Sequence, residues 1–181
     1  MIFHEVKDPA SFWKFTMESD DVLALECAIV EAGDGDYLEI GTQQGGSACF
    51  VGKVKKMLGH SGRLYGVDSL QNRFADKDKI EQYTKELGVD FTLIVDVSDH
   101  AVLPEKCHPV VTLIDGDHAY EQVKRDFERF SPITQRFVCL HDVKTHDGPK
   151  QLARELADRV DTHWRWITST GNMGILERIK W

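Results

Sequence analysis

Two short segments hold most of the residues able to move a proton or hold a cation. Asp115-Gly116-Asp117-His118 follows the apolar run Val110–Ile114, and His141-Asp142 follows Arg136–Leu140. Each stands where a strand-forming run gives way to a loop, and ligands of open α/β sheets gather at such carboxyl ends. Three carboxylates meeting two imidazoles there would repel one another unless a cation sits among them. Oxygen donors dominate the set, which favours Mg2+ or Mn2+; an imidazole shifts the balance toward Mn2+ or Fe2+. A divalent ion would bind an acceptor hydroxyl and lower its pKa, and a neighbouring base would take the proton.

A third segment, Asp36–Phe50, supplies a binding loop rather than a reactive group. Its apolar start, carrying Glu39, breaks into a turn with Gly41, Gly45 and Gly46 and resumes in small residues, including Ser47, leading to Val51, Val54 and Leu58. That is a strand, a tight loop and a helix N-terminus, where backbone can approach a ligand closely. A dinucleotide fingerprint wants glycine two residues after the first, and Gln43 stands there. Asp68 ends the next strand-like run, one βαβ unit on, where an acid can accept hydrogen bonds from both ribose hydroxyls. Asp96 and Ser98, after the run Phe91–Val95, are candidates to contact an adenine, or else to cap the following helix.

The elements that must carry these segments follow from periodicity. Helices are expected from Asp8-Pro9, from Asp20 or Asp21 to Gly33, through Val51 to Leu58, over Asp76–Gly88, over Tyr120–Phe130 and over Pro149–Val160. Strands are expected at Asp36–Ile40, Arg63–Val67, Phe91–Val95, Val110–Ile114 and Arg136–Leu140. A final hairpin, Trp164–Ile167 with Met173–Ile179, flanks the turn Thr168–Asn172. Five β-α units closed by a hairpin predict a Rossmann-like, doubly wound α/β fold. Its sheet has seven strands, mostly parallel, with a C-terminal antiparallel hairpin. The whole chain, 1–181, reads as one domain with an N-terminal helical extension over 1–33.

Lys and Arg number 22 against 30 Asp and Glu, a net charge of −8. Such a balance argues against nucleic acid or an anionic membrane as partner, because phosphate contacts need clustered bases. Lys53, Lys55 and Lys56 read as a solvated helix face. Cys27, Cys49, Cys107 and Cys139 form no C-x-x-C pair, and each reads as a small packed hydrophobe in a reducing, cytoplasmic setting. The first residues carry Glu5 and Asp8 with no apolar core, unlike a signal peptide, and no run is long enough to span a membrane. A homodimer is the commonest closed assembly for such a chain.

The spacing Glu39-x-Gly41-x-x-x-Gly45-x-Ser47 resembles motif I of the class I S-adenosylmethionine (SAM) methyltransferases. Ile114-Asp115-Gly116-Asp117-His118-Ala119-Tyr120-Glu121, followed by Leu140-His141-Asp142-Val143, looks like the small-molecule O-methyltransferase group. That group includes macrocin-type sugar methyltransferases and cephalosporin-hydroxylase-like proteins, and the likeness covers roughly Asp36 to Ala157. It implies SAM held by Glu39, Gly41, Gly45, Ser47, Asp68, Asp96, Ser98 and Asp115. It also implies Mg2+ or Mn2+ held by Asp115, His141 and Asp142, with Asp117 as general base and His118 as its substitute. His141 departs from the acidic pair of relatives, so a metal-free form with His118 or His141 as base stays open. The implied activity is methylation of an oxygen on a small hydroxylated molecule, with Phe12, Trp13 and Phe74 as candidate acceptor contacts. A dinucleotide-dependent oxidoreductase and a non-catalytic binding module are the alternatives.

Overall fold

A computed structural model describes residues 17–158 and 163–179. The helix expected from Asp8, with Phe12 and Trp13, lies outside these residues, as does Val160. The elements run α1 (Ser19–Ala32), β1 (Asp36–Ile40), α2 (Gly46–Leu58), β2 (Leu64–Asp68), α3 (Lys77–Glu86) and β3 (Phe91–Val95). They continue with β4 (Pro109–Ile114), α4 (Tyr120–Phe130), a 3-10 turn (Ser131–Ile133), β5 (Phe137–Leu140), α5 (Asp147–Asp158), β6 (Trp164–Thr170) and β7 (Met173–Arg178).

One seven-stranded sheet is ordered β3-β2-β1-β4-β5-β7-β6. The first five strands are parallel, while β7 lies antiparallel to both β5 and β6. Side-chain alternation sorts the strand residues onto two faces. Tyr37, Val111, Leu113 and Cys139 join Val22, Leu25 and Ile29 of α1 and Phe50, Val51 and Val54 of α2 in one core. Ile114, Val138 and Leu140 join Val123 and Phe127 of α4 and Leu152 and Leu156 of α5 in another. Helices on both faces bury nearly continuous apolar strands, which is why β5 reads as an apolar run and β4 as one interrupted only by Thr112. The chain leaves β1 toward β2 on one side and toward β4 on the other. A crevice therefore opens at the carboxyl tips of β1 and β4.

Three expectations change. Lys55 is 3% exposed rather than solvated. Its ammonium donates to the Gly35 carbonyl and pairs with Asp34 at 3.9 Å, because α2 lies flat on the loop before β1. Burial lowers its pKa. Cys27 is exposed, while Cys49, Cys107 and Cys139 are buried; all four are free thiols. The hairpin turn shortens to Gly171-Asn172, since β6 runs on to Thr170 by absorbing a register shift between Trp166 and Thr168. Among the described residues, no helix is long and apolar enough to cross a membrane.

Candidate active site

The glycine loop is shaped by contact with the next strand tip. Gly41 has φ +93, and a Cβ there would collide with the carbonyl of Asp115. Only glycine lets the β1 and β4 tips close up in this way. Asp68, at the end of β2, accepts the N–H groups of Thr42 and Gln43 through Oδ2 at 2.9 and 2.7 Å, and that of Leu70 through Oδ1 at 2.7 Å. It therefore holds the loop as well as facing the cleft. A carboxylate accepts about four hydrogen bonds, so capacity remains for a ribose hydroxyl.

Glu39 is 0% exposed and lies behind the loop rather than at the cleft wall. Its Oε2 accepts the Ser47 hydroxyl at 2.7 Å and the Tyr37 hydroxyl at 3.2 Å, which ties β1 to the first turn of α2. Desolvation pushes its pKa up to about 7 against those hydrogen bonds. A carboxylate whose folded pKa exceeds its ordinary 4.5 binds protons more tightly when folded. It favours the folded state most at low pH, and that advantage is lost as pH rises from 4.5 through 7. Relative to Glu39→Gln, the wild type is expected to lose stability of the order of 3 kcal/mol between pH 4.5 and 8 in denaturant titrations. A pH-independent difference would sink this account.

Gly41, Ser47, Asp68, Asp96, Ser98, Asp115, Asp117, His118, His141 and Asp142 all line one cleft of about 760 Å³. Gly45 does not line it; with φ +80 it is the left-handed residue just before α2. Ser98 accepts from Gln122 Nε2 at 2.9 Å, so α4 also reaches the cleft, a contribution that periodicity alone did not reveal. Seven of the described lining residues are Asp, and none is Lys or Arg. Such a wall repels a dinucleotide's pyrophosphate and suits a ligand carrying positive charge, as the sulfonium and ammonium of SAM do.

Asp115, His141 and Asp142 come together as expected, one donor atom of each within 4.8 Å of the others. Both nitrogens of His141 nevertheless face carboxylates. Nδ1 lies 2.9 Å from Asp115 Oδ1 and 3.6 Å from Asp142 Oδ2, and Nε2 lies 3.3 Å from Asp21 Oδ2. Burial opposes charge on this ring, but the hydrogen bonds to Asp115 and Asp142 outweigh it and push its pKa up to about 11. His141 thus stands as a positive charge among these acids, with a carboxylate against each ring nitrogen. Asp21, read in sequence only as a helix start, is 1% exposed and brings α1 to the site.

On the acceptor side, Asp117 Oδ1 accepts the Ala119 N–H at 2.7 Å, and Oδ2 has no partner among the described residues. His118 Nε2 lies 2.9 Å from Asp142 Oδ2, a contact that raises the pKa of His118. Asp142 is held well below the usual carboxylate range: burial works against this, and the His118 and His141 hydrogen bonds overcome it. Phe74 is exposed.

Among solved structures, the chain resembles the O-methyltransferase TomG from Streptomyces achromogenes, solved with SAM, at 16% identity and a TM-score of 0.66, covering 92% of this chain and 82% of that one. It resembles the O-methyltransferase NovP at 12% identity and a TM-score of 0.72, covering 88% and 79%. It also resembles an rRNA methylase from Streptococcus thermophilus at 16% identity and a TM-score of 0.59, covering 91% and 100%. At these identities the likeness shows the shared fold. No curated protein matches the sequence. Residues 38–147, more than half of the chain and all of the glycine loop, β4 tip and β5 tip, match the family described as "Methyltransferase domain". The chain belongs to that methyltransferase family.

Proposed function

We propose that the chain transfers the methyl group of SAM to an oxygen of a small hydroxylated molecule, such as a sugar or phenol. One observation carries this reading: the glycine loop with Asp68 and the polar cluster of Asp115, Asp117, His118 and Asp142 line the same cleft. The acidic wall also weighs against an RNA acceptor, whose phosphates need Lys and Arg.

Bound SAM supplies an electrophilic methyl group. Gly41, with no side chain, keeps the loop backbone open to the cofactor, while Asp68 and Asp96 present acceptors beside it. Asp117 takes the acceptor's hydroxyl proton on Oδ2, the oxygen left unengaged by the Ala119 N–H. His118, whose Nε2 lies 2.9 Å from Asp142 Oδ2, stands beside it on the acceptor side. The oxygen-rich Mg2+ or Mn2+ site expected at Asp115, His141 and Asp142 is a poor fit to the donors present, because His141 already serves as counter-charge. No step is assigned to a metal there.

Asp68→Ala is expected to weaken SAM binding at least about tenfold in calorimetry, the loss of one charged acceptor. Asp117→Ala is expected to bind SAM normally and lose turnover by about 100-fold or more, the scale of general-base catalysis. Full activity in Asp117→Ala would overturn the base assignment.

A further inference from the structure

We infer that His118, Asp142 and His146 form a site for a first-row transition-metal ion at the rim of the cleft. His118 Nε2 and His146 Nδ1 lie 2.9 and 3.4 Å from Asp142 Oδ2, and one donor atom from each residue falls within 4.8 Å of the others. Ligand atoms bound 2.0–2.2 Å from such an ion sit about 2.8–3.6 Å from one another, from octahedral to tetrahedral angles. The two edges that meet at Asp142 Oδ2 are therefore within the spacing a single ion spans.

Other features show that the site is built rather than accidental. The Asp142 side chain is 13% exposed, and its second oxygen, Oδ1, is anchored by the Thr145 hydroxyl at 2.8 Å and Asn172 Nδ2 at 2.6 Å. That leaves Oδ2 turned to the imidazoles, the arrangement by which outer contacts orient a metal-binding carboxylate. Asn172 sits on the β6–β7 turn and also accepts the Lys144 and Thr145 N–H groups, so the hairpin grips the whole loop. Asp142 is held at φ +61, an uncommon conformation for a residue with a side chain and one that clusters at functional sites. The two imidazole rings lie 3.8 Å apart. Gly148 in the first turn of α5 makes this approach available, because a Cβ there would collide with the backbone of His118 and Ala119.

Two imidazoles with one carboxylate suit Zn2+, Fe2+, Co2+ or Mn2+ better than Mg2+ or Ca2+. Three protein donors leave positions for water or a substrate oxygen, and His118 and Asp142 also line the cleft. Ion binding stands apart from the methyl-transfer reading; only its service to the acceptor rests on that reading.

The test titrates Co2+ into the chelator-stripped full chain, without SAM, and follows its visible absorption. One equivalent is expected to bind, displaced by Zn2+ and not by millimolar Mg2+. His146→Ala and His118→Ala are each expected to weaken binding at least about tenfold, while Asp115→Asn stays within about twofold. Thermal melting shows which variants fold, and His146→Ala alone decides if His118→Ala does not. Undiminished affinity in His146→Ala, an equal loss in Asp115→Asn, displacement by Mg2+ or absence of saturable binding would each overturn the site. Calorimetry with SAM on the same stripped protein separates the two claims. SAM binding without Co2+ binding removes the metal site alone, and Co2+ binding without SAM binding removes the proposed function alone.

Discussion

Gly41→Ala is expected to abolish measurable SAM binding, at least about a 100-fold loss, and to lower stability by about 2–6 kcal/mol. Two penalties add: a side chain at φ +93 costs about 1–3 kcal/mol, and forcing apart packed backbone costs about 1–3 more. The collision is with the carbonyl of Asp115, so the substitution must push the β1 and β4 tips apart or rotate the loop. Either movement breaks the registry by which the Gly41 N–H donates to Val67 at 2.8 Å and the Asp115 N–H donates to Ile40 at 2.8 Å. SAM calorimetry and thermal melting read the two effects separately. A folded Gly41→Ala protein with unaltered SAM affinity would show that the cofactor does not lie against this loop.

His141→Ala is expected to destabilise the protein by about 3–5 kcal/mol at pH 7, the scale seen when one partner of a buried charge cluster is removed. The ring stands among Asp21, Asp115 and Asp142, and its loss leaves three carboxylates facing a gap. Adding Asp21→Asn to that variant removes one of the repelling charges and is expected to restore at least about 1 kcal/mol, a coupling that a double-mutant cycle measures. Because Asp21 ties α1 to the sheet through His141 and the Asn172 N–H at 2.5 Å, amide exchange in α1 should quicken most. A cost under about 1 kcal/mol would mean that the ring is not the counter-charge of the site. This outcome bears on function too, since the same ring occupies the place where relatives were expected to offer a second metal-binding acid.

The residues legible in sequence share one property: their position depends only on the local period of the backbone. Phe137–Leu140 is apolar throughout, and Val110–Ile114 apart from the buried Thr112, because both sheet faces are covered, and the polar residues that end them must emerge at strand tips. Parallel pairing of β1, β2, β4 and β5 then brings Gly41, Asp68, Asp115 and His141-Asp142 to one edge without further information. The Gly-rich break after β1 was equally local. Glu39 shows the limit, for its place in the motif suggested a cofactor contact, yet strand alternation points it under the loop to Ser47.

By itself the sequence determined the α/β architecture and the polar residues at the strand tips, since both follow from short-range patterning of apolar and polar side chains; the family was legible only through the likeness of its motifs. Only the tertiary structure decided who partners whom. Asp21 meets His141 across 120 residues because α1 docks on the sheet, and His146 meets His118 because Gly148 lets two loops touch. The burial of Lys55 and the exposure of Cys27 likewise depend on how each helix lies against its neighbours. Such pairings carry no local period, because the packing of distant elements sets them through the summed fit of their surfaces.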